Sequence, residues 1–218
     1  MCGRYSFGRT DRVDWGRFGV PPVPDLVPNW NISPGSDVLA VREGETALLR
    51  WGLVPAWAGD PSIGNRLINA RSESAEEKPA FRDAFRTRRC LLVADGFYEW
   101  ESVAGQKRRQ PWRVEGTDGA IFAMGSLWES WFDRRGTRLE SCTILTVPAN
   151  GALAHIHDRM PLIVAPADYA EWIAQGTPAE RVRALCCPAP DAAFTAWRIS
   201  LAINAAANND LAVTQPIV

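Results

Sequence analysis

Short apolar runs alternate with Gly, Pro and Asp punctuation along the chain, without an internal repeat, a low-complexity tract or a charge block. Residues 38–42 (VLAVR) and 46–51 (TALLRW) flank Glu43-Gly44-Glu45, a pattern that predicts a β-hairpin. Further strands are predicted over 90–94, 97–100, 111–115, 120–128 and 139–147, with a shorter one at 161–165. Helical spacing is rarer. Over 79–87, Phe81, Ala84 and Phe85 share one stripe, Arg82 and Arg86 project together, and Pro79 takes the first position. Residues 167–175 place Tyr169, Trp172 and Ile173 on one face ahead of Gly176. Two more helices are predicted at 10–18 and 178–186. Many strands with few helices, and no alternating βαβ order, predict an α+β fold: one domain over 1–218 with a mostly antiparallel sheet or barrel core.

Composition narrows the function classes. Apolar residues make up 46% of the 218 positions and charged residues 22%, as in folded proteins. The formal net charge of −1 excludes a broad basic surface. No apolar stretch approaches the about 20 residues of a membrane span, and MCGRYSFGRTDR at the N-terminus has no apolar signal core. A cytoplasmic, likewise monomeric, protein without a membrane partner is expected. Only two of the 24 basic residues are lysines, Lys78 and Lys107. Five cysteines without a CxxC pair, and two histidines, predict neither a disulfide framework nor a metal site, and no cofactor is expected.

The N-terminus carries its own chemistry. Removal of Met1 would leave Cys2 with an α-amine and a thiol on adjacent carbons. Such a 1,2-aminothiol condenses with an aldehyde to an imine, and the thiol then closes a thiazolidine. The α-amine titrates near ~8 and the thiol near ~8.5, so both nucleophiles are available around neutrality. An N-terminal Cys is also the nucleophile of N-terminal-nucleophile amidases such as glutamine amidotransferases. The first three residues leave both classes open.

Eight segments narrow the choice: MCGRY at 1–5, WNISPGS at 30–36, WGLVPAW at 51–57, IGNRLINARSES at 63–74, RRCLLVADGFYEW at 88–100, ILTVPAN at 144–150, HDRMPLIV at 157–164 and NAAANND at 204–210. In this order they resemble the SOS-response-associated peptidase family, the abasic-site processing proteins. The resemblance implies a sensor of abasic sites in single-stranded DNA, acting in the DNA damage response. It cross-links the ring-opened sugar through Cys2 and shields the lesion. The chemistry is lyase-like, and the peptidase name refers to self-processing that exposes Cys2. With Met1 alone ahead of Cys2, methionine aminopeptidase suffices for that maturation.

The resemblance also implies roles for single residues. Cys2, Asn69, Glu99 and His157 match catalytic positions. Arg4, Arg71 and Arg159 are matched or neighbouring phosphate-binding positions, and Arg suits them because it presents a planar fork of donors. Thr146 matches a position near the lesion. Pro34, Gly35 and Trp57 match a rim where the strand bends, and Ala58 stands where some members carry a second aromatic. By alternation Glu99 lies on the opposite strand face from Tyr98 and Trp100, which suits a solvent-facing acid as well as a buried one. Cys90, Cys142, Cys186 and Cys187 are expected to be packed apolar groups. Asn204, Asn208 and Asn209 are expected to satisfy backbone turns near the site. A non-covalent single-strand-binding module remains a further alternative.

Overall fold

A computed structural model describes residues 2–217. Its strands are β1 (Arg4–Phe7), β2 (Asn29–Ile32), β3 (Asp37–Arg42), β4 (Glu45–Trp51), β5 (Asn69–Arg71), β6 (Arg89–Ala94), β7 (Gly96–Glu101), β8 (Gln110–Gly116), β9 (Phe122–Phe132), β10 (Arg138–Pro148), β11 (Arg159–Pro161), β12 (Ile163–Val164) and β13 (Phe194–Arg198). The fold is α+β and mostly antiparallel, as the apolar pattern predicts. β3 and β4 form the expected hairpin, with Arg42 opposite Glu45. Gly44 sits at φ 74°, a left-handed turn conformation that other residues adopt at a cost.

Strands β4, β3, β6, β9 and β10 pair in that order, and β10 returns to β4, so this sheet closes into a barrel. Closure leaves these five strands without a free edge. β10 runs parallel to β4 and to the short β5; the other pairings are antiparallel. A second sheet has the order β13-β8-β7-β1-β2. One residue, Asp95, separates β6 in the barrel from β7 in the second sheet. Strand β1 obeys the period of two. Tyr5 packs edge-on against Trp51 of β4 with ring centroids 5.4 Å apart, while Ser6 turns the other way toward Asp95. The main apolar cluster joins the two sheets, and a smaller one (Tyr98, Ile199, Ile203, Val213) lies under the C-terminal segment.

Four predictions change in detail. The helix expected over 10–18 is broken into a 3-10 turn, Thr10–Arg12, and a helix, Trp15–Phe18. Asp14 breaks it, because its carboxylate accepts from the Gly16 amide at 3.1 Å and caps the second piece. The helix expected from Pro79 begins at Arg82, after a turn closed on the Lys78 carbonyl. The strand expected over 161–165 is divided, because at Leu162 the chain changes partner: its amide donates to the Leu145 carbonyl of β10 at 2.8 Å and its carbonyl accepts from the Gly125 amide of β9 at 2.8 Å, so Pro161 ends β11 and Ile163–Val164 form β12. A Cβ on Gly125 would meet the Leu162 side chain at 2.7 Å, so a larger residue there would have to displace it. Cys90 and Cys142 are buried as expected, but Cys187 is exposed. It follows the helix Ala179–Leu185, whose packed face ends with Leu185.

Among the described residues no helix is long and apolar enough to cross a membrane.

Candidate active site

The site lies where β1 leaves the second sheet beside the barrel. β1 pairs antiparallel with β7 in the register Arg4↔Tyr98, so the chain running back from Arg4 to Cys2 passes alongside Glu99 and Trp100. Cys2 is fully buried, and its Sγ lies 3.6 Å from the Arg4 carbonyl. Asn69 arrives from the barrel side. β5 lies parallel to β10 with Asn69 beside Ile144, and Asn69 Nδ2 donates to the Cys2 carbonyl at 2.7 Å. Asn69 Oδ1 is buried and has no hydrogen-bond partner among the described residues. One end of this amide therefore holds residue 2, and the other is a buried acceptor with hydrogen-bonding capacity to spare.

Glu99 is 4% exposed, which removes the solvent-facing alternative. Burial pushes its carboxyl up from 4.5 to about 7, and Asp158 adds to the rise. Burial also raises the Cys2 thiol far above its usual range, with the Glu99 charge acting in the same direction. Cys2 is therefore a thiol here, not a resting thiolate, and Glu99 stands close enough to act on it electrostatically. A carboxyl titrating near 7 can give or take a proton at neutral pH.

His157 ends the turn that precedes β11. The Arg159 amide donates to its Nδ1 at 3.0 Å, and Asp158 Oδ1 lies 2.8 Å from the same atom. One nitrogen cannot accept from the amide and donate to the carboxylate at once. Burial lowers the His157 pKa, so the neutral ring accepting from the amide is the form favoured. That assigns the ring proton to Nε2.

The arginines divide sharply. Arg71 is exposed and makes no hydrogen bond or ion pair among the described residues. Arg4, by contrast, donates to Asn31 Oδ1 at 2.7 Å and to the Ile203 and Asn204 carbonyls at 2.8 and 3.1 Å. It thereby docks the C-terminal segment beside the site, with two of its five N–H groups left over. Arg159 forms a bidentate pair with Glu73 at 2.6 and 2.8 Å and also donates to the Thr146 carbonyl. Thr146, expected near the lesion, is fully buried on β10, with its hydroxyl turned to the Ala70 carbonyl at 3.4 Å. In the same place it touches Arg159 and β5.

The rim residues join the two sheets. Half-buried Pro34 and exposed Gly35 form the turn between β2 and β3, and Gly35 adopts φ 88° while its amide donates to the Trp51 carbonyl at 2.8 Å. Trp57 is 61% exposed, anchored only by its Nε1 on the Pro79 carbonyl at 3.3 Å. Ala58 beside it is buried. The C-terminal asparagines are structural. Asn204 Oδ1 accepts from Trp100 Nε1 at 2.9 Å, Asn209 Oδ1 from the Trp30 amide at 2.6 Å, and the Asn208 carbonyl from Asn31 Nδ2 at 2.9 Å.

Sequence reasoning missed two groups: Glu73, within the RSES segment, which neutralises Arg159, and Arg109, whose charge reaches His157. An apolar cavity of about 480 Å³ lined by Phe122, Tyr169 and Phe194 contains none of the site residues. Among the described residues no group of three His, Cys, Asp or Glu side chains is arranged to hold a metal.

A family model described as SOS response associated peptidase (SRAP) matches residues 1–206. The chain belongs to the SRAP family. It is 35% identical to the abasic site processing protein YoaM of Bacillus subtilis, over 96% of this chain and 95% of the other. It is 30% identical to the abasic site processing protein YedK of Escherichia coli over the whole of both chains. A crystal structure of a protein from Bacteroides thetaiotaomicron, 22% identical, superposes over both full chains with a TM-score of 0.90 and shows the same fold. In this SRAP chain, three motifs that identify the family in the sequence, MCGR, INAR and GFYEW, bring Cys2, Asn69 and Glu99 close together.

Proposed function

We propose that this SRAP protein senses abasic sites in single-stranded DNA and traps them as a covalent thiazolidine on Cys2. The observation that carries this reading is the Asn69 bond to the Cys2 carbonyl beside a buried Glu99 that titrates near neutrality. Nothing in ordinary core packing calls for an amide fixing residue 2 next to a desolvated acid.

In this mechanism Met1 is first removed, by methionine aminopeptidase. Arg71, with the remaining N–H groups of Arg4 and with Trp57, Pro34 and Gly35 at the rim, positions the DNA. Arg159 is held by Glu73, so it serves the site by fixing β11 and His157. Glu99 and the His157 Nε2 proton assist ring opening of the sugar to its aldehyde. The Cys2 amine adds to C1′, a proton passes to the carbinol oxygen, and water leaves to give the imine. Asn69 Oδ1 accepts from a sugar hydroxyl. The thiol then adds to the imine carbon: the S–C1′ bond forms, Glu99 takes the thiol proton, and the imine nitrogen receives one. The sum is aldehyde plus aminothiol giving thiazolidine plus water. Because the buried thiol holds its proton, the amine attacks first and the thiol follows. Ring closure ahead of β-elimination keeps the DNA strand intact, which fits a cytoplasmic shield associated with DNA.

The test mixes processed protein with single-stranded DNA, with or without an abasic site, followed by denaturation. A heat-stable adduct is expected only with the abasic strand, and Cys2→Ala should abolish it. An adduct that persists in Cys2→Ala without reduction would overturn the thiazolidine. Glutamine hydrolysis instead would point to an amidase, and binding indifferent to the lesion to a non-covalent module.

A further inference from the structure

The loop joining β7 to β8 carries Lys107, Arg108 and Arg109, three consecutive exposed cations. Among the described residues none of them makes a hydrogen bond or an ion pair. Five other arginines, Arg42, Arg88, Arg113, Arg159 and Arg183, each pair with a carboxylate. Residues 102–109 include no acid, and Glu101 at the base of the loop is held by Trp112 Nε1 at 2.9 Å and by Arg198. The loop therefore presents three adjacent positive charges that repel one another and lack a counter-charge from the protein.

Its position follows from the strand register. Glu99 pairs with Trp112 and Glu101 with Gln110, so the loop opens two residues beyond the proposed catalytic acid. The Trp112 ring meets His155 edge-on at 5.3 Å, which docks the turn bearing His157 onto the same hairpin. The Arg109 charge is felt at His157. Cations on a two-stranded lever, with the reaction centre at its base, suit a ligand whose negative charges continue past that centre.

We propose that Lys107, Arg108 and Arg109 form a phosphate clamp that holds the DNA backbone on the side of the second sheet, as Arg71 does on the side of the barrel. This rests on the abasic-DNA reading above and extends it: the lesion is gripped on both flanks. A net charge of −1 is compatible with this, because a local group of cations can grip a backbone while acids elsewhere cancel the sum.

The test uses a single-stranded oligonucleotide carrying a tetrahydrofuran abasic analogue, which has no aldehyde, so that binding is read without cross-linking. Arg108→Ser/Arg109→Ser is compared with Arg134→Ser/Arg135→Ser, a charge-matched pair in the β9–β10 turn. That turn lies at the far end of β10, about 27 Å from Thr146 at ~3.4 Å per residue. The loop pair should lower the slope of log affinity against log salt by about 1.4, and affinity at 0.1 M salt by about tenfold or more. The distant pair should change neither. An unchanged slope in the loop pair, or an equal fall in both pairs, would overturn the clamp. Cross-linking of a true abasic strand by the unmodified protein is measured alongside. Its failure would defeat the covalent mechanism and leave the binding comparison intact.

Discussion

Asp95→Ala should destabilise the protein by about 3–5 kcal/mol, the usual cost of stripping one partner from a buried ion pair. Asp95 is fully buried between β6 and β7 and accepts from the Ser6 hydroxyl, the Gly8 amide at 2.6 Å, the Arg9 amide at 2.7 Å and Arg113 Nη2 at 3.3 Å. Three of these donors belong to β1 or the residues just after it, the segment that carries Cys2. Removing the carboxylate strips the acceptor from the Gly8 and Arg9 amides and leaves the Ser6 hydroxyl with the Gly96 carbonyl at 3.4 Å. Arg113→Met should cost less, about 1.5–3 kcal/mol, the range for hydrogen bonds to a charged group. In that variant Asp95 keeps its three β1-side donors, while Ser6 Oγ and Tyr98 Oη lose Arg113 Nη1 at 2.9 Å each. Denaturant unfolding of both variants gives the comparison. The reverse order, with Arg113→Met the more damaging, would mean that the charge and not the tethering of β1 is what Asp95 supplies. Cross-linking measured where each variant is still folded should also fall further for Asp95→Ala, because that change removes three tethers of the segment that presents Cys2 and Arg113→Met removes one.

This network explains which parts of the molecule the sequence makes legible. Strands β3, β4, β6, β8, β9 and β10 are visible as apolar runs because burial alone decides them. β1, β2 and β5 are not, since RYSF, NWNI and NAR hold few apolar residues and their pairing is imposed by long-range partners. Ser6 finds Asp95, Asn31 collects the Ile203, Ala205 and Asn208 carbonyls, and Asn69 leans on β10. The catalytic candidates are readable as motif members, but their environment is not. Glu99 could equally face solvent by alternation, and only the fold shows that it is buried. For the same reason Arg4, Arg71 and Arg159 look alike in the sequence. Only the fold shows that Arg4 holds the C-terminal segment, that Arg159 is neutralised by Glu73, and that Arg71 is left free for a ligand.

Glu99→Gln should separate stability from function most clearly. In the folded protein burial holds the Glu99 carboxyl protonated up to about pH 7, whereas in the unfolded chain it ionises near its ordinary 4.5. Between these values the native state binds more protons than the unfolded state, so stability falls as pH rises through this window. The loss is complete above pH 7 and amounts to about 3 kcal/mol, at ~1.4 kcal/mol for each unit between the two pKa values. Glutamine has nearly the same shape and cannot ionise. Glu99→Gln should therefore match the parent protein in urea unfolding at pH 4.5 and exceed it by about 3 kcal/mol at pH 8. The same substitution removes the group proposed to move protons during ring opening and thiol addition, so cross-linking to abasic single-stranded DNA should slow by about a hundredfold or more. A variant that is both more stable at pH 8 and slower would identify Glu99 as an acid kept in the interior for chemistry, at a cost to the fold. Equal pH dependence in the two proteins would mean that Glu99 is ionised and satisfied where it lies. An unchanged cross-linking rate would remove it from the reaction whatever its pKa.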